Sequence, residues 1–382
     1  MSGMFESFFQ ESHHQFRETC RRFTEKEIRP RAWQWEEEER FDTDLYGKAA
    51  AAGLLAPSWP ESWGGGGGDL FHDIVAHEEL LRGGATGAVI SLWSLGIALP
   101  PVVTLGTPEQ QQRFIPPVLA GEKIAALAIT EPDTGSDVAG IRTRARREGD
   151  GWVLDGAKTF ITSGVNGHQY TVLARTSDDP HNGLTFFIVE RDMPGFRVAR
   201  ALKKTGWRSS DTAELAFQSV RVPDSHRLGE EGSGFVALMK NFEKERLALA
   251  ILGYVLAEMA LEEAVRWAGE RRAFNRHLKE FQVIRHKLAD MRTRTLAAKN
   301  LTLVCARHMA EGKEMRFEAA MAKNFASDVA RDVCYEAVQI FGGMGYMRET
   351  LVERWSRDAR LLPIGGGTRE IMNDIIAAGM GL

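Results

Sequence analysis

Residues 241–256 read NFEKERLALAILGYVL. Wound as a helix, this stretch and the turn before it place Leu238, Phe242, Glu245, Leu249, Leu252 and Leu256 on one face, at alternating spacings of four and three. All but one of these side chains are large and apolar; the exception is a carboxylate. A carboxylate on an apolar face is costly unless it is paired, neutralised or used. The pattern predicts a buried helix and makes Glu245 a candidate proton-abstracting base. The competing role is a structural ion pair to an arginine on a neighbouring helix.

Helical periodicity extends outward from this stretch. Residues 235–271, 281–311 and 317–341 are long enough to form a bundle, with shorter helices expected near 350–360 and 368–378. Upstream the period is different. Between about residues 125 and 228, segments 151–156, 169–175, 184–190 and 213–222 carry strand signals separated by turn residues, which predicts an antiparallel β domain. Before it, residues 5–39 (interrupted near Pro30), 44–55 and 69–82 read as helices, and residues 84–99 as one buried helix. Thr107 and Pro108 open a further helix as N-cap and first-turn proline. Pro116 and Pro117 end it. The expected fold class is α+β, mainly α: an N-terminal helical domain (1–122), a middle β domain (123–230) and a C-terminal helical bundle (231–382).

The totals restrict function. The 382-residue chain is 43% hydrophobic and 26% charged, with a formal net charge of −4. That balance gives no pull toward nucleic acid or an anionic membrane. Its three cysteines, Cys20, Cys305 and Cys334, have no metal-ligand spacing and suit a reducing compartment. His13 and His14 are adjacent on a charged helix and the other histidines are scattered, so no metal site is expected. The first residues, MSGMFESFFQESHH, lack a signal-peptide pattern, and their acids argue against a transit peptide, which points to a bacterial cytoplasm. No membrane span is expected: the apolar run at 247–257 is too short, and glycines and prolines break up the one at 83–108. The glycine run 64–68 has no Lys-Ser/Thr after it and reads as a surface loop, not a P-loop. No Gly-x-Gly-x-x-Gly follows a strand and no Gly-x-Ser-x-Gly elbow occurs.

Three stretches between the periodic segments are unusually polar or glycine-rich. ITEPDTGSD (129–137) is a turn whose N–H groups and hydroxyls could grip an anion, or a plain hydrophilic turn. KTFITSG (158–164) sets an aromatic ring beside hydroxyls, and on its own is ordinary β sequence. QIFGGMGY (339–346) and LPIGGGTREI (362–371) carry glycine clusters near helix ends, where backbone can approach a flat ligand or phosphate, or simply cap a helix.

Taken with Glu270-Arg-Arg-Ala-Phe274 and Gln282, these motifs stand in the order and rough spacing of the acyl-CoA dehydrogenase family, which the chain resembles over nearly its whole length. The resemblance implies FAD, a coenzyme A thioester substrate and α,β-dehydrogenation to the trans-2-enoyl-CoA. It also implies a homotetramer that passes electrons to an electron-transfer flavoprotein. Around the flavin it places Leu127, Ile129, Thr130, Gly135, Ser136, Phe160, Ile161 and Thr162, with Ser136 also touching the thioester ligand. Arg271, Phe274, Gln282, Gln339, Phe341, Gly342 and Gly343 are similar to residues that reach the FAD of a neighbouring subunit. Thr368 and Glu370 complete the flavin site, and Phe242, Glu243, Arg246 and Gly367 border the substrate. Asp133 stands where relatives often have glycine, and Phe160 where many have tryptophan.

One position departs from the commoner family pattern. Many members carry the base as a Glu just before the last Gly-Thr, where this chain has Gly366. A branch resembling isovaleryl- and long-chain acyl-CoA dehydrogenases has a small residue there and carries the base on the first long bundle helix, within Glu-Arg-Leu, as at residues 245–247 here. Loss of a side chain at Gly366 leaves room for Glu245. Glu243, two residues away, faces elsewhere on a helix. The resemblance implies that Gly366 N–H helps hold the thioester oxygen while Glu245 takes the α-proton. Desolvation against Phe242 and Leu249 is expected to raise the ordinary carboxyl pKa by ~2–3 units. A medium, long or branched acyl chain is expected. The rival readings are a flavin-dependent oxidase or monooxygenase on the same fold, and an acyl-CoA-binding protein that has lost catalysis.

Overall fold

The computed structural model describes residues 2–382; Met1, the first residue of the N-terminal section, lies outside the described residues. The N-terminal section is a stack of short helices: α1 (Glu11–Phe23), α2 (Ala32–Glu38), α3 (Asp44–Ala51), α4 (Leu70–Leu81), α5 (Thr86–Leu92), α6 (Leu95–Ala98), α7 (Pro100–Leu105), α8 (Pro108–Phe114) and α9 (Pro116–Leu119). The interruption expected near Pro30 is a π-helical turn over Thr24–Ile28, closed by Arg29 N–H donating to Thr24 O at 2.9 Å. Thr107 caps α8 in a reciprocal box with Gln110.

One expectation fails in this section, and another is exceeded. Residues 84–99 are not one helix but α5 and α6, broken at Trp93 and Ser94. At the break Ser94 Oγ donates to the carbonyl of Ala125 at 3.1 Å, tying the helix stack to the sheet at the cost of a straight helix. Pro116 and Pro117 not only end α8 but begin α9, since proline is well tolerated at a first helical turn. No single helix is long and apolar enough to cross a membrane; the bent pair Thr86–Leu92 and Leu95–Leu105 passes by length and composition only when joined.

The middle section is a sheet of β1 (Ala125–Ala128), β2 (Arg144–Glu148), β3 (Gly151–Thr162), β4 (Gln169–Arg175), β5 (Leu184–Glu190), β6 (Phe196–Ala201), β7 (Thr212–Pro223) and β8 (Arg227–Leu228). The order is β6-β7-β3-β2-β4-β5-β8, with β1 also paired to β4. The expected antiparallel sheet is in fact mixed. β1 runs parallel to β4 from Ala125↔Gln169 to Ala128↔Val172, and β2 meets β4 in parallel at Arg144↔Arg175. A parallel neighbour requires a long connection, and the chain from β1 to β4 supplies it by way of β2 and β3. Side chains alternate across β4 and β5. Tyr170, Val172, Phe187 and Val189 fill a core within the β section, while Leu173, Phe186 and Ile188 join the main helical core.

The bundle is α10 (Gly234–Glu270), α11 (Gln282–Ala310), α12 (Arg316–Phe341), α13 (Leu351–Ala359) and α14 (Arg369–Gly379). A short hairpin of β9 (Arg272–Ala273) and β10 (Arg276–His277) separates α10 from α11. α10 is the central rod. Around Leu238, Phe242, Glu245 and Leu249 the helix still has an exposed side, carrying Val236, Lys240 and Lys244, whereas every residue from 250 to 261 is buried, so that stretch has no solvent-facing side. The loop between β6 and β7 bonds to both helical sections. Trp207 N–H donates to Asp358 Oδ1 at 2.6 Å, Ala88 N–H donates to Ser209 Oγ at 3.2 Å, and a Cβ at Gly206 would stand 2.5 Å from the carbonyl of Arg357.

Candidate active site

Glu245 faces inward, as its helical spacing predicts. The residue as a whole is half-buried, but Oε2 is sealed from solvent and has no hydrogen-bond partner. Burial pushes its pKa up to about 7, with Arg246 and Lys323 pulling the other way. Opposite it lies the turn at 365–368, where Gly366 and Gly367 take left-handed backbone with φ 63° and 92°. A Cβ at Gly366 would stand 3.4 Å from Glu245 Oε1 and 2.4 Å from Leu249 Cδ1. The space that a side chain would occupy is thus taken by the carboxylate and the end of Leu249. Thr368 closes the turn as N-cap of α14, its hydroxyl accepting from Ile371 N–H at 3.3 Å. Glu370 follows, exposed, in the first helical turn.

The two charged neighbours of Glu245 on α10 differ. Arg246 is only 5% exposed; its guanidinium carbon lies 5.7 Å from the Phe242 ring centroid, and its Nε has no partner. It forms no ion pair with the base, but it is one of the two cations that act on it, and it is buried, not at an open surface. Glu243 is half-buried, its pKa raised by burial and by Glu314.

The first two polar stretches come together. Thr159 N–H donates to Thr130 O at 2.8 Å. Beneath that bond Lys158 and Glu131 form a buried ion pair at 2.8 Å. Lys158 also donates to Ile129 O at 2.9 Å, and Glu131 accepts from the N–H groups of Arg142 and Thr143 at 2.7 and 2.9 Å. Burial brings the Lys158 pKa down to about 8 despite Glu131. On this footing Phe160 sits in a break of the β3–β7 register with φ 59°, its ring 68% exposed. Ile161 does not share that exposure: at 3% its side chain belongs to the β core, so only its backbone is available to a ligand. Ile129 is likewise buried, Leu127, Thr130 and Thr162 are half-buried, and Ser136 is exposed. A Cβ at Gly135 would meet nothing nearer than Thr130 Cγ2 at 3.9 Å. An exposed phenyl ring, an open glycine and free-facing hydroxyls fit a flat aromatic ligand with a polar edge, as FAD is.

The remaining cluster lies at the far end of α10. The rings of Trp267 and Phe341 stack with centroids 4.6 Å apart, joining the C-terminal ends of α10 and α12. Phe341 is 7% exposed, so it supports the glycine turn as packing instead of offering its ring to a ligand. Around it Arg271, Phe274 (90%), Gln282, Gln339, Gly342 and Gly343 are exposed, and Cβ atoms at Gly342 and Gly343 would meet nothing within 4 Å. Trp267 Nε1 is sealed and lacks an acceptor. From Glu245 to the end of α10 the helix rises about 38 Å, so one chain does not bring this cluster to its own Glu245.

Sequence reading missed several groups. Lys323 and Asn324 on α12 brace the 365–368 turn and α14. Lys323 donates to Gly367 O, and Asn324 Nδ2 donates to Arg369 O at 3.1 Å and Asn373 Oδ1 at 2.9 Å. Within a helix they resemble ordinary surface polar residues. His13, Asp69 and His72 also converge, their ligand atoms within 4.8 Å, across a sequence gap that no spacing rule bridges. His13 Nδ1 accepts from Gln10 N–H at 2.8 Å, which puts its proton on Nε2, facing Asp69 Oδ1 at 2.9 Å. This trio caps α4: Asp69 accepts from the N–H groups of Phe71 and His72.

Comparison with known proteins spans the three sections. Models of the N-terminal, middle and C-terminal domains of acyl-CoA dehydrogenase match residues 10–122, 126–220 and 232–381. The chain is 39% identical to the mitochondrial long-chain specific acyl-CoA dehydrogenase of Mus musculus, over 97% of this chain and 86% of that one. It is also 39% identical to the short-chain specific enzyme of Bos taurus, over 96% and 89%. A probable acyl CoA dehydrogenase from Mycobacterium abscessus superimposes with a TM-score of 0.96 at 44% identity, covering 98% of this chain and 100% of that one. The prolyl acyl carrier protein oxidase AnaB superimposes at 0.92 with 30% identity, covering 98% and 100%.

Proposed function

Because the chain belongs to the acyl-CoA dehydrogenase family, we propose that it removes the α-proton of a bound acyl-CoA thioester with Glu245, in an α,β-dehydrogenation to the trans-2-enoyl-CoA. One observation carries this reading: a carboxylate whose Oε2 is sealed and unpartnered, and whose Oε1 reaches to 3.4 Å of the place where a side chain at Gly366 would begin. Its pKa of about 7 matches the task, because a base near the working pH is both ionised and able to hold a proton. Leu249 and Phe242 keep water from the carboxylate. Arg246 and Lys323 offset part of the burial penalty without pairing directly with it. Gly366 N–H is the donor assigned to the thioester oxygen.

FAD, when bound, supplies the two-electron acceptor. Phe160, Thr130, Ser136 and Thr162 would hold it on the β section, and Thr368 and Glu370 at the start of α14. Arg271, Phe274, Gln282 and the turn at 339–343 would serve the flavin of a neighbouring subunit in a homotetramer. The roughly 38 Å of helical rise that separates Glu245 from that cluster favours this arrangement. Domain boundaries are placed at 122/123 and 230/231, and an electron-transfer flavoprotein is the proposed acceptor. Equal similarity to long- and short-chain enzymes leaves acyl length to a substrate panel, with medium, long or branched chains as the expectation.

Glu245→Gln tests the reading: the protein should stay yellow with flavin and lose at least about a thousandfold in acyl-CoA-driven bleaching, about 4 kcal/mol of barrier. Full activity would overturn it. The likeness to AnaB keeps an oxidase reading open to measurement: reoxidation in air faster than by an electron-transfer flavoprotein would favour it.

A further inference from the structure

We infer that Lys323 is a positioning residue for proton abstraction: from α12 it fixes the Gly366–Gly367 turn and sets its ammonium toward Glu245, keeping that carboxylate ionised in a sealed site. The inference rests on Glu245 being the base.

Geometry supports it in three ways. Lys323 is completely buried, which is rare for a lysine and costly unless its charge has work to do. Its Nζ donates to the carbonyl of Gly367, next to the glycine that faces the base. It makes no ion pair within salt-bridge reach among the described residues, so its charge acts through space. The charged groups around it come from two elements: Glu245 and Arg246 on α10 and Glu370 on α14. Glu245 in turn senses only Arg246 and Lys323. Burial lowers the Lys323 pKa to about 8, opposed by Glu245, so the ammonium persists at neutral pH. A hydrogen bond from Lys323 also orients the peptide after Gly367, and so the left-handed turn whose empty side admits the carboxylate.

Without that ammonium, an ionised Glu245 would lose one of its two counter-charges, and its pKa would rise. Since only the ionised form accepts the α-proton, the acid limb of the rate profile would move to higher pH. A purely structural lysine would lower the rate at every pH alike.

The experiment uses flavin-loaded wild type, Lys323→Met, Lys323→Arg, Asn324→Ala and Glu245→Gln. Two readouts are taken across pH: the rate of flavin bleaching by a saturating acyl-CoA, and, without substrate, the infrared carbonyl band of protonated Glu245, identified by its loss in Glu245→Gln. Lys323→Met should move both midpoints upward by about one pH unit, tenfold in the proton equilibrium. Lys323→Arg, which keeps the charge, should show little of that shift, and Asn324→Ala, which removes a neutral brace of α14 just beyond the turn, should slow bleaching with no shift. If Lys323→Met does not fold, Lys323→Gln answers the same question. An unmoved infrared midpoint in either neutral variant overturns the inference. An active Glu245→Gln would instead defeat the assignment of the base, and the infrared titration would still report on the lysine.

Discussion

Glu245 Oε1 approaches to 3.4 Å of the point where a Cβ would project from Gly366, so carboxylate and missing side chain share one volume. Moving the acid across that gap is therefore not a free exchange. A Cβ at Gly366 also comes within 2.4 Å of Leu249 Cδ1, and the φ of 63° disfavours any residue but glycine. Glu245→Gln combined with Gly366→Glu is expected to recover little bleaching activity, and adding Leu249→Ala should recover at least about tenfold more. Equal rates with and without Leu249→Ala would show that the leucine is not the obstacle.

The buried carboxylate should also be visible as a stability cost. Glu245 has a pKa of about 7 against an ordinary 4.5. A carboxyl raised on folding is penalised only when ionised. The penalty is absent below about pH 4.5 and grows as pH rises to about 7. Glu245→Gln should accordingly stabilise the protein by about 2–3 kcal/mol at pH 8 and leave it unchanged at pH 4. Urea unfolding at the two pH values checks this; a variant no more stable at pH 8 than wild type contradicts the burial described above.

Beneath Phe160, the Lys158–Glu131 pair holds the turn at 129–137 to β3. Lys158→Met leaves a buried carboxylate unpaired and should cost about 3–5 kcal/mol. Combining it with Glu131→Gln removes the stranded charge and should regain more than half of that loss. Flavin dissociation, followed by fluorescence, should accelerate in the single variant. Additive effects of the two substitutions on the urea midpoint would refute the coupling.

Phe160 itself combines a left-handed backbone with an exposed ring. Phe160→Gly should relieve the backbone and stabilise flavin-free protein by about 1 kcal/mol, while weakening flavin retention. A variant that unfolds more readily without flavin, or keeps flavin as tightly, would argue that the ring serves packing alone.

How far the sequence could be read depended on whether the deciding contacts were local. The inward turn of Glu245 and the vacancy at Gly366 were legible because helical spacing is a local property and the family motifs sit at fixed positions. The bundle helices were legible for the same reason. The strand Arg144–Glu148 was not, because RARRE lacks alternation and is held by pairing to β3. The parallel course of β1 beside β4 depends on residues more than forty positions apart, as Ala125 and Gln169 are. The break at Ser94 is imposed by a bond to the sheet, which propensity cannot anticipate. Lys323 looked like any helical lysine; only the fold reveals that it is enclosed.

The loop at 206–210 has a mechanical consequence. It belongs to the sheet, yet it is fastened to α13 through Trp207 and to α5 through Ser209, with no room for a methyl group at Gly206. Such a rivet opposes a clamshell opening between the sheet and the helices. A ligand is then expected to enter as a letter enters a slot, by side chains stepping aside, and the outline of the particle in solution should be the same before and after loading.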